Sequence, residues 1–397
     1  MKWPLLQLKH VARFGYGDSL PTDEVQSGLV SVFGSNGPYG TLGRANTLGP
    51  AIVVGRKGSY GKVNWSDEPC FASDTTFYID ASTTLHSLRW LYWLLQTLRL
   101  DQGSDEAAVP GLNREEAYAR RVPLPPPNAQ KTIARFLDFE THKLDSLLAA
   151  SQRVLDLLAE KRKAIIATAV TRGLDPKVKL RDSGVPWLSE IPAHWEIERA
   201  RWLFRERDVR STTGDEEMLT VSHLTGVTPR SEKEVNMFEA ETNEGYKLCE
   251  PGDLVINTLW AWMGAMGTAP VKGIVSPAYN VYEPGPRLTP AYIDALVRLP
   301  AFAQEVTRYS KGVWSSRLRL YPEGFFEVYL PVPQQGEQRA IVAHIARETA
   351  KLDAVRAATE RTIALLKERR SALIAAAVTG QLDVAAVDGA YGGADAY

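Results

Sequence analysis

The sequence predicts an α+β fold of two globular domains separated by two long antiparallel helices, a coiled coil with a pseudo-two-fold internal repeat. Three observations predict it. First, residues 122–175 and 330–383 align without a gap and share more than 20 of 54 positions. Two unrelated amphipathic helices would not show this self-similarity. Second, each copy is a proline-rich stop followed by a long stretch dominated by Ala, Leu, Lys, Arg and Glu, a helix composition. Leu144, Leu148, Leu155, Leu158, Ile165 and Ala169 recur at close to heptad spacing, answered by Leu352, Arg356, Ile363, Leu366, Leu373 and Ala377. That is a coiled-coil seam, though Ser151, Arg162, Thr359 and Arg370 also fall on it. Third, the parts before the two repeats mix strand-like and helix-like runs, and they differ strongly from each other.

In chain order, residues 1–128 make the first globular part. Its glycine-rich stretch around Gly34, Gly37, Gly40 and Gly43 reads as turns. Residues 51–54 and 75–79 read as strands, and 85–100 as a core helix. Residues 129–183 form the central helix and a linker punctuated by Pro176 and, just beyond it, Gly184, Pro186 and Pro192. The second globular part spans 184–335, with a strand expected at 253–257. The second repeat helix spans 336–384, and 385–397 is a Gly/Ala-rich tail expected to be disordered.

The composition excludes several classes. A length of 397 residues allows two or more domains. A net charge of -1 means that any polyanion site must rest on local patches. Cys70 and Cys249 are isolated, so neither a disulfide framework nor a zinc site is indicated. No early segment reads as a secretory signal, and residues 85–100 are too short and too charged to span a membrane. A cytoplasmic location is expected. The six histidines form no HxxH or HExxH pair, and no [ND]PP[YF] tetrapeptide or glycine-rich cofactor loop occurs. No catalytic or metal-binding residue is expected in this chain.

Three windows lack acidic residues: between Glu24 and Asp67, between Asp253 and Glu283, and between Glu305 and Glu323. The first holds Arg44, Arg56, Lys57 and Lys62 among Asn36, Tyr39, Ser59 and Tyr60. The third holds Lys311, Arg317 and Arg319. Glycine lets a backbone approach a polyanion, while Arg, Lys, Asn and Tyr supply phosphate and base-edge contacts. A solvated glycine-rich loop fits the first window too, and the aromatic residues of the second also fit a core.

Together these features resemble the specificity subunit of type I restriction–modification systems. The carriers are the paired blocks LPPPNAQKTIARFLD and LPVPQQGEQRAIVAHI, with GSNGPYG, IVVGRKGSYG, VPGLNR, GDLVINTLWAWMGAMG, GIVSPAYNVY and SSRLRLYPEGF. The resemblance implies two target-recognition domains, each reading half of a split double-stranded DNA target, held apart by the helical rod. It also implies two copies of the modification (methyltransferase) subunit, which carries S-adenosylmethionine, and restriction (motor-nuclease) subunits in the full complex; this chain itself holds no cofactor. The spacing agrees: about 23 residues of helix span roughly 35 Å, one turn of B-DNA.

The DNA-binding candidates are Asn36, Tyr39, Arg44, Lys57, Ser59, Tyr60, Lys62 and Arg114 in the first half. In the second they are His223, Arg230, Asn257, Trp260, Tyr279, Trp314, Ser316, Arg317 and Arg319. Leu147, Val154, Leu157 and Leu365 lie off the seam and are the partner-binding candidates. A coiled-coil scaffold that binds only protein is the competing reading, and salt-dependent DNA binding separates the two.

Overall fold

The computed structural model describes residues 3–20, 28–102, 111–232, 242–312 and 318–383. Trp314, Ser316, Arg317 and the expected tail at 385–397 lie outside them. The chain forms two compact units, residues 1–153 with 359–397, and residues 154–358. Each unit contains half of both long helices.

In the first unit the entry strand Leu5–Gln7 pairs antiparallel with Arg121–Pro123, which leads into the proline stop. Between them, a four-stranded sheet runs in the order Gly15–Tyr16, Thr76–Ile79, Ala51–Gly55, Val63–Ser66. Ala51–Gly55 is buried along its whole length, as its uninterrupted apolar run requires. The glycine-rich stretch is not turns alone. Val30–Gly34 and Gly37–Leu42 form a hairpin, and Phe71–Ala72 joins its first strand in parallel. Glycine's weak strand preference hides this hairpin from composition. The expected core helix is shorter than its apolar run, Leu88–Gln96. Ser87 caps it by accepting from the Trp90 amide, and Trp90, Leu91, Trp93, Leu94 and Leu95 are buried.

The second unit repeats the plan. Glu196–Arg199 pairs with Tyr329–Val332 before the second proline stop. Its four-stranded sheet runs in the order Phe204–Glu206, Tyr279–Pro284, Leu254–Asn257, Met266–Thr268. Two further antiparallel pairs, Leu219–Ser222 with Gly226–Pro229 and Lys247–Cys249 with Gly273–Val275, flank it. The expected linker is packed structure. It holds a short antiparallel pair, Leu180–Asp182 with Glu190–Pro192, and Val185, Leu188, Ile191 and Trp195 enter the core. Four apolar side chains outweigh the punctuating prolines and glycine.

The long helices are Pro127–Arg172 and Gln335–Thr379, of 46 and 45 residues. Pro127 stands at the first helical position, where its missing N–H costs nothing. In the first unit the start of one helix packs with the end of the other, through Ile133, Leu137, Ile374, Ala377 and Val378. In the second unit the roles are exchanged, through Ala169, Val170 and Ile341. The pairing is therefore antiparallel in both. On the first helix the seam is the least exposed line: Leu144 and Ala169 are buried, and Leu148, Ser151, Leu155, Leu158, Arg162 and Ile165 are half-buried. On the second, Arg356 is exposed where the first helix has Leu148.

Two ion pairs fix the register. Arg162 meets Asp353 at 2.6 Å, and Arg370 meets Asp145 at 2.9 Å. Arg370 and Asp353 are the repeat counterparts of Arg162 and Asp145, so one pair is made twice with the helices exchanged. Both are exposed, each worth about 0–1 kcal/mol; they mark alignment more than they stabilise.

A buried amide joins each globular part to its helix. The Gln130 Oε1 accepts from the Ser87 amide at 2.9 Å, and its Nε2 donates to the Pro125 carbonyl at 2.9 Å. The counterpart Gln338 accepts from the Thr289 amide at 2.7 Å and donates to the Pro333 and Arg287 carbonyls at 2.8 Å each. Ser87 and Thr289 each precede a core helix, Leu88–Gln96 and Pro290–Val297. Each glutamine thus ties three segments at one buried point. Gln338→Leu keeps the volume but strands three backbone groups at about 1–3 kcal/mol each. Denaturant unfolding should show a loss of at least about 3 kcal/mol; a loss under about 1 kcal/mol would show that water replaces the amide.

Candidate nucleic-acid interface

In the first unit the turn between Ala51–Gly55 and Val63–Ser66 carries RKGSYGK. It turns sharply because Gly58 and Gly61 adopt positive φ, +71° and +77°. A side chain at Gly61 would strike the backbone of Leu100 and Asp101. Lys57 and Ser59 are left exposed and Tyr60 half-buried. The Arg56 guanidinium lies over the rings of Tyr16 at 5.3 Å and Phe77 at 5.8 Å, and donates to the Asp74 carbonyl at 2.8 Å.

The GLNR segment comes alongside: the Leu112 amide donates to the Arg56 carbonyl at 2.9 Å. Asn113 then caps the short helix Arg114–Ala119. The Arg114 guanidinium lies over Tyr16 at 5.1 Å and Tyr118 at 5.6 Å, and meets Glu115 at 3.3 Å. Two guanidiniums therefore share one exposed tyrosine ring. An anion beside that ring relieves their mutual repulsion, and both cations suit a phosphate.

The tip of the neighbouring hairpin is tied in. Lys62 Nζ donates to the Asn36 carbonyl and to its Oδ1, both at 2.8 Å. Tyr39 and Arg44 are exposed on that hairpin and the loop after it. The structure thus joins Asn36 to Lys62, and brings the turn that carries Lys57, Ser59 and Tyr60 beside the segment that leads into Arg114. Sequence reasoning left Tyr16 and Tyr118 out altogether and kept Arg56 only as part of a window. Tyr16 lies in a two-residue strand outside the acid-free windows, and its stacking with residues distant in sequence is what marks it.

In the second unit the equivalent turn, residues 258–265, carries TLWAWMGA. Trp260 is about half exposed and stacks on Trp262, with centroids 6.2 Å apart and planes at 20°. The Trp262 indole donates to the Leu259 carbonyl at 3.0 Å. Lys311 and Arg319 exchange backbone hydrogen bonds at 2.9 Å, and the Leu320 amide donates to the Thr258 carbonyl at 3.1 Å. The exposed Arg319 is thereby held beside the tryptophan turn. Asn257 is buried, its Oδ1 accepting from the Leu259 amide at 3.2 Å, so it shapes the turn from beneath. Tyr279 pairs with Asn257 across the sheet, and burial pushes its hydroxyl pKa up. His223 is exposed at the tip of the 219–229 hairpin, and Arg230, half-buried, begins the short turn after it.

Leu147, Val154, Leu157 and Leu365 are all exposed on the long helices. Leu157 and Leu365 are repeat counterparts, and so are Leu147 and the exposed Val355. The repeat thus keeps apolar residues at two outward positions as well as on the seam.

Among the described residues, no group of three or more His, Cys, Asp or Glu side chains could hold a metal ion, and no helix is long and apolar enough to cross a membrane. Both thiols are buried. Burial and the nearby Asp253 push Cys249 up to about 12, and burial also raises Cys70. A thiol attacks as thiolate. Iodoacetamide at pH 8 should therefore leave both cysteines unmodified in the native chain and alkylate both after unfolding, as mass spectrometry will read; native labelling of either would contradict its burial.

Residues 3–148 match the family model of the type I restriction modification DNA specificity domain. The chain is 21% identical over 374 residues to the type I restriction enzyme EcoBI specificity subunit of Escherichia coli, covering 83% of this chain and 73% of that protein. Two solved chains share the fold. One comes from a structure on complex assembly and conformational transition of the type I R-M system, at TM-score 0.64 and 18% identity, covering 96% of this chain and 98% of that one. The other is the HsdS subunit from Thermoanaerobacter tengcongensis, at TM-score 0.51 and 16% identity, covering 96% and 97%.

Proposed function

We propose that this chain, which carries a type I DNA specificity domain at residues 3–148 and shares the fold of type I specificity subunits along nearly its whole length, reads duplex DNA for such a system. Each unit reads one part of a two-part target. The observation that carries this reading is a scaffold duplicated without its loops: the glutamine tie, the entry-strand pairing and the helix seam recur, whereas RKGSYGK stands in one unit and TLWAWMGA in the other. An asymmetric target needs this combination of equal holders and unequal readers.

In the first unit, Lys57, Arg56 and Arg114 supply cations for phosphates and guanine edges, and Asn36 and Ser59 supply shorter polar contacts. The antiparallel helices act as the spacer between the two half-sites. Their outward apolar positions, Leu147, Val154, Leu157 and Leu365, dock two copies of the modification subunit. Methyl transfer with S-adenosylmethionine falls to that subunit, and DNA translocation and cleavage to restriction subunits where these are present. A protein-only scaffold would use the same seam but show no salt-dependent DNA binding.

The spacer is tested by lengthening it. Matched insertions of one heptad, between Arg153 and Val154 and between Arg361 and Thr362, preserve the seam and add about 10 Å, or about 3 base pairs. Sequencing of modified bases should show a longer gap and unchanged half-sites; a rewritten half-site rules out a passive spacer. The reader is tested by Lys57→Ala. A phosphate contact weakens all sequences alike and lowers the salt slope by about one, whereas a base contact relaxes one position by about 1–3 kcal/mol. No effect on either measure removes Lys57 from the interface.

A further inference from the structure

The two four-stranded sheets place chemically opposite hairpins at the same point of the fold. The strand Ala51–Gly55 is joined to Val63–Ser66 by a turn with Arg56, Lys57 and Lys62. Leu254–Asn257 is joined to Met266–Thr268 by a turn with no charged residue, led by Trp260 and Met263. Both of these side chains are exposed although large and apolar. Trp260 is also rigid, because it stacks on a Trp262 whose indole is hydrogen-bonded to the Leu259 carbonyl.

A ring with one face partly covered by an offset neighbour is poorly made for insertion between two base pairs, which needs both faces free. It is well made for contact through its uncovered face and edge. The apolar feature that a base presents to such a surface in the major groove is the C5-methyl group of thymine. The exposed cations Lys311 and Arg319 beside the turn can hold the flanking phosphates, leaving the turn itself to the base.

We propose that Trp260 reads a thymine methyl group in the half-site of the second unit, through an apolar contact that makes no use of charge. This rests on the reading of the chain as a two-part DNA reader. It divides the labour within that reading: the first unit discriminates largely through cations, the second partly through a salt-independent methyl contact.

The full chain in its assembled complex provides the test, on its target as found by sequencing of modified bases. Exchanging residues 1–128 for the matching part of a relative identifies which half-site belongs to which unit. Each thymine of the second half-site is then replaced by 2′-deoxyuridine, which removes only the methyl group. One position should lose affinity about fourfold, the worth of one buried methyl. With Trp260→Ala, binding should fall by at least the same factor of about four, and the same replacement should then change nothing. Trp260→Ala should also leave the salt slope of binding untouched. The proposal is overturned if no thymine responds, if the losses from uracil and from Trp260→Ala simply multiply, or if the salt slope drops. Unchanged discrimination at the other positions of the second half-site shows that the variant's second unit is folded, and the uracil series needs no variant. If the wild-type complex shows no salt-dependent, sequence-specific binding, the two-part reading itself fails, which is a separate result.

Discussion

Everything built on the long helices depends on a buried amide at the start of each. Gln130 and Gln338 are almost fully buried, and each satisfies one donor and at least one acceptor of the main chain. A side chain of that length, with a carbonyl and an NH₂ at its end, can tie the N-terminus of a core helix to a proline-terminated strand. The prolines before it have no N–H, so their carbonyls are what the segment offers, and the amide takes them up. A globular part whose turns differ between the two units is thereby held to its helix at a fixed point.

The reciprocal pairing of Arg162 with Asp353 and Arg370 with Asp145 does a different job. Exposed ion pairs add little stability. Their value lies in what a shifted alignment would do, since sliding one helix by a heptad removes both pairs at once. The seam alone leaves alignment loosely specified, because its middle positions are only half-buried and include Ser151 and Thr359.

Much of this was legible in the sequence because the repeat is gapless. The helix pair, its seam, the proline stops and the outward Leu157 and Leu365 follow from period and offset alone. What escaped depends on contacts distant in sequence. Glycine spacing concealed the 30–42 hairpin, and the prolines of the 176–192 stretch concealed a packed segment. Tyr16 acquires a role only when Arg56 and Arg114 reach it from elsewhere in the chain. Asn257 looked like a polar contact and lies buried beneath the turn; alternation along a four-residue strand is too short to tell inside from outside.

The second unit is one continuous stretch of chain, residues 154–358, whereas the first is made of two, 1–153 and 359–397. Ile374, Ala377 and Val378 complete the core around Trp90, Leu94 and Leu137. During synthesis the unit begun first is therefore finished last. Its apolar face waits while more than two hundred residues emerge, and domain-by-domain folding from the N-terminus is not open to it. The ribosome completes the downstream unit first, and the returning helix then closes the upstream one.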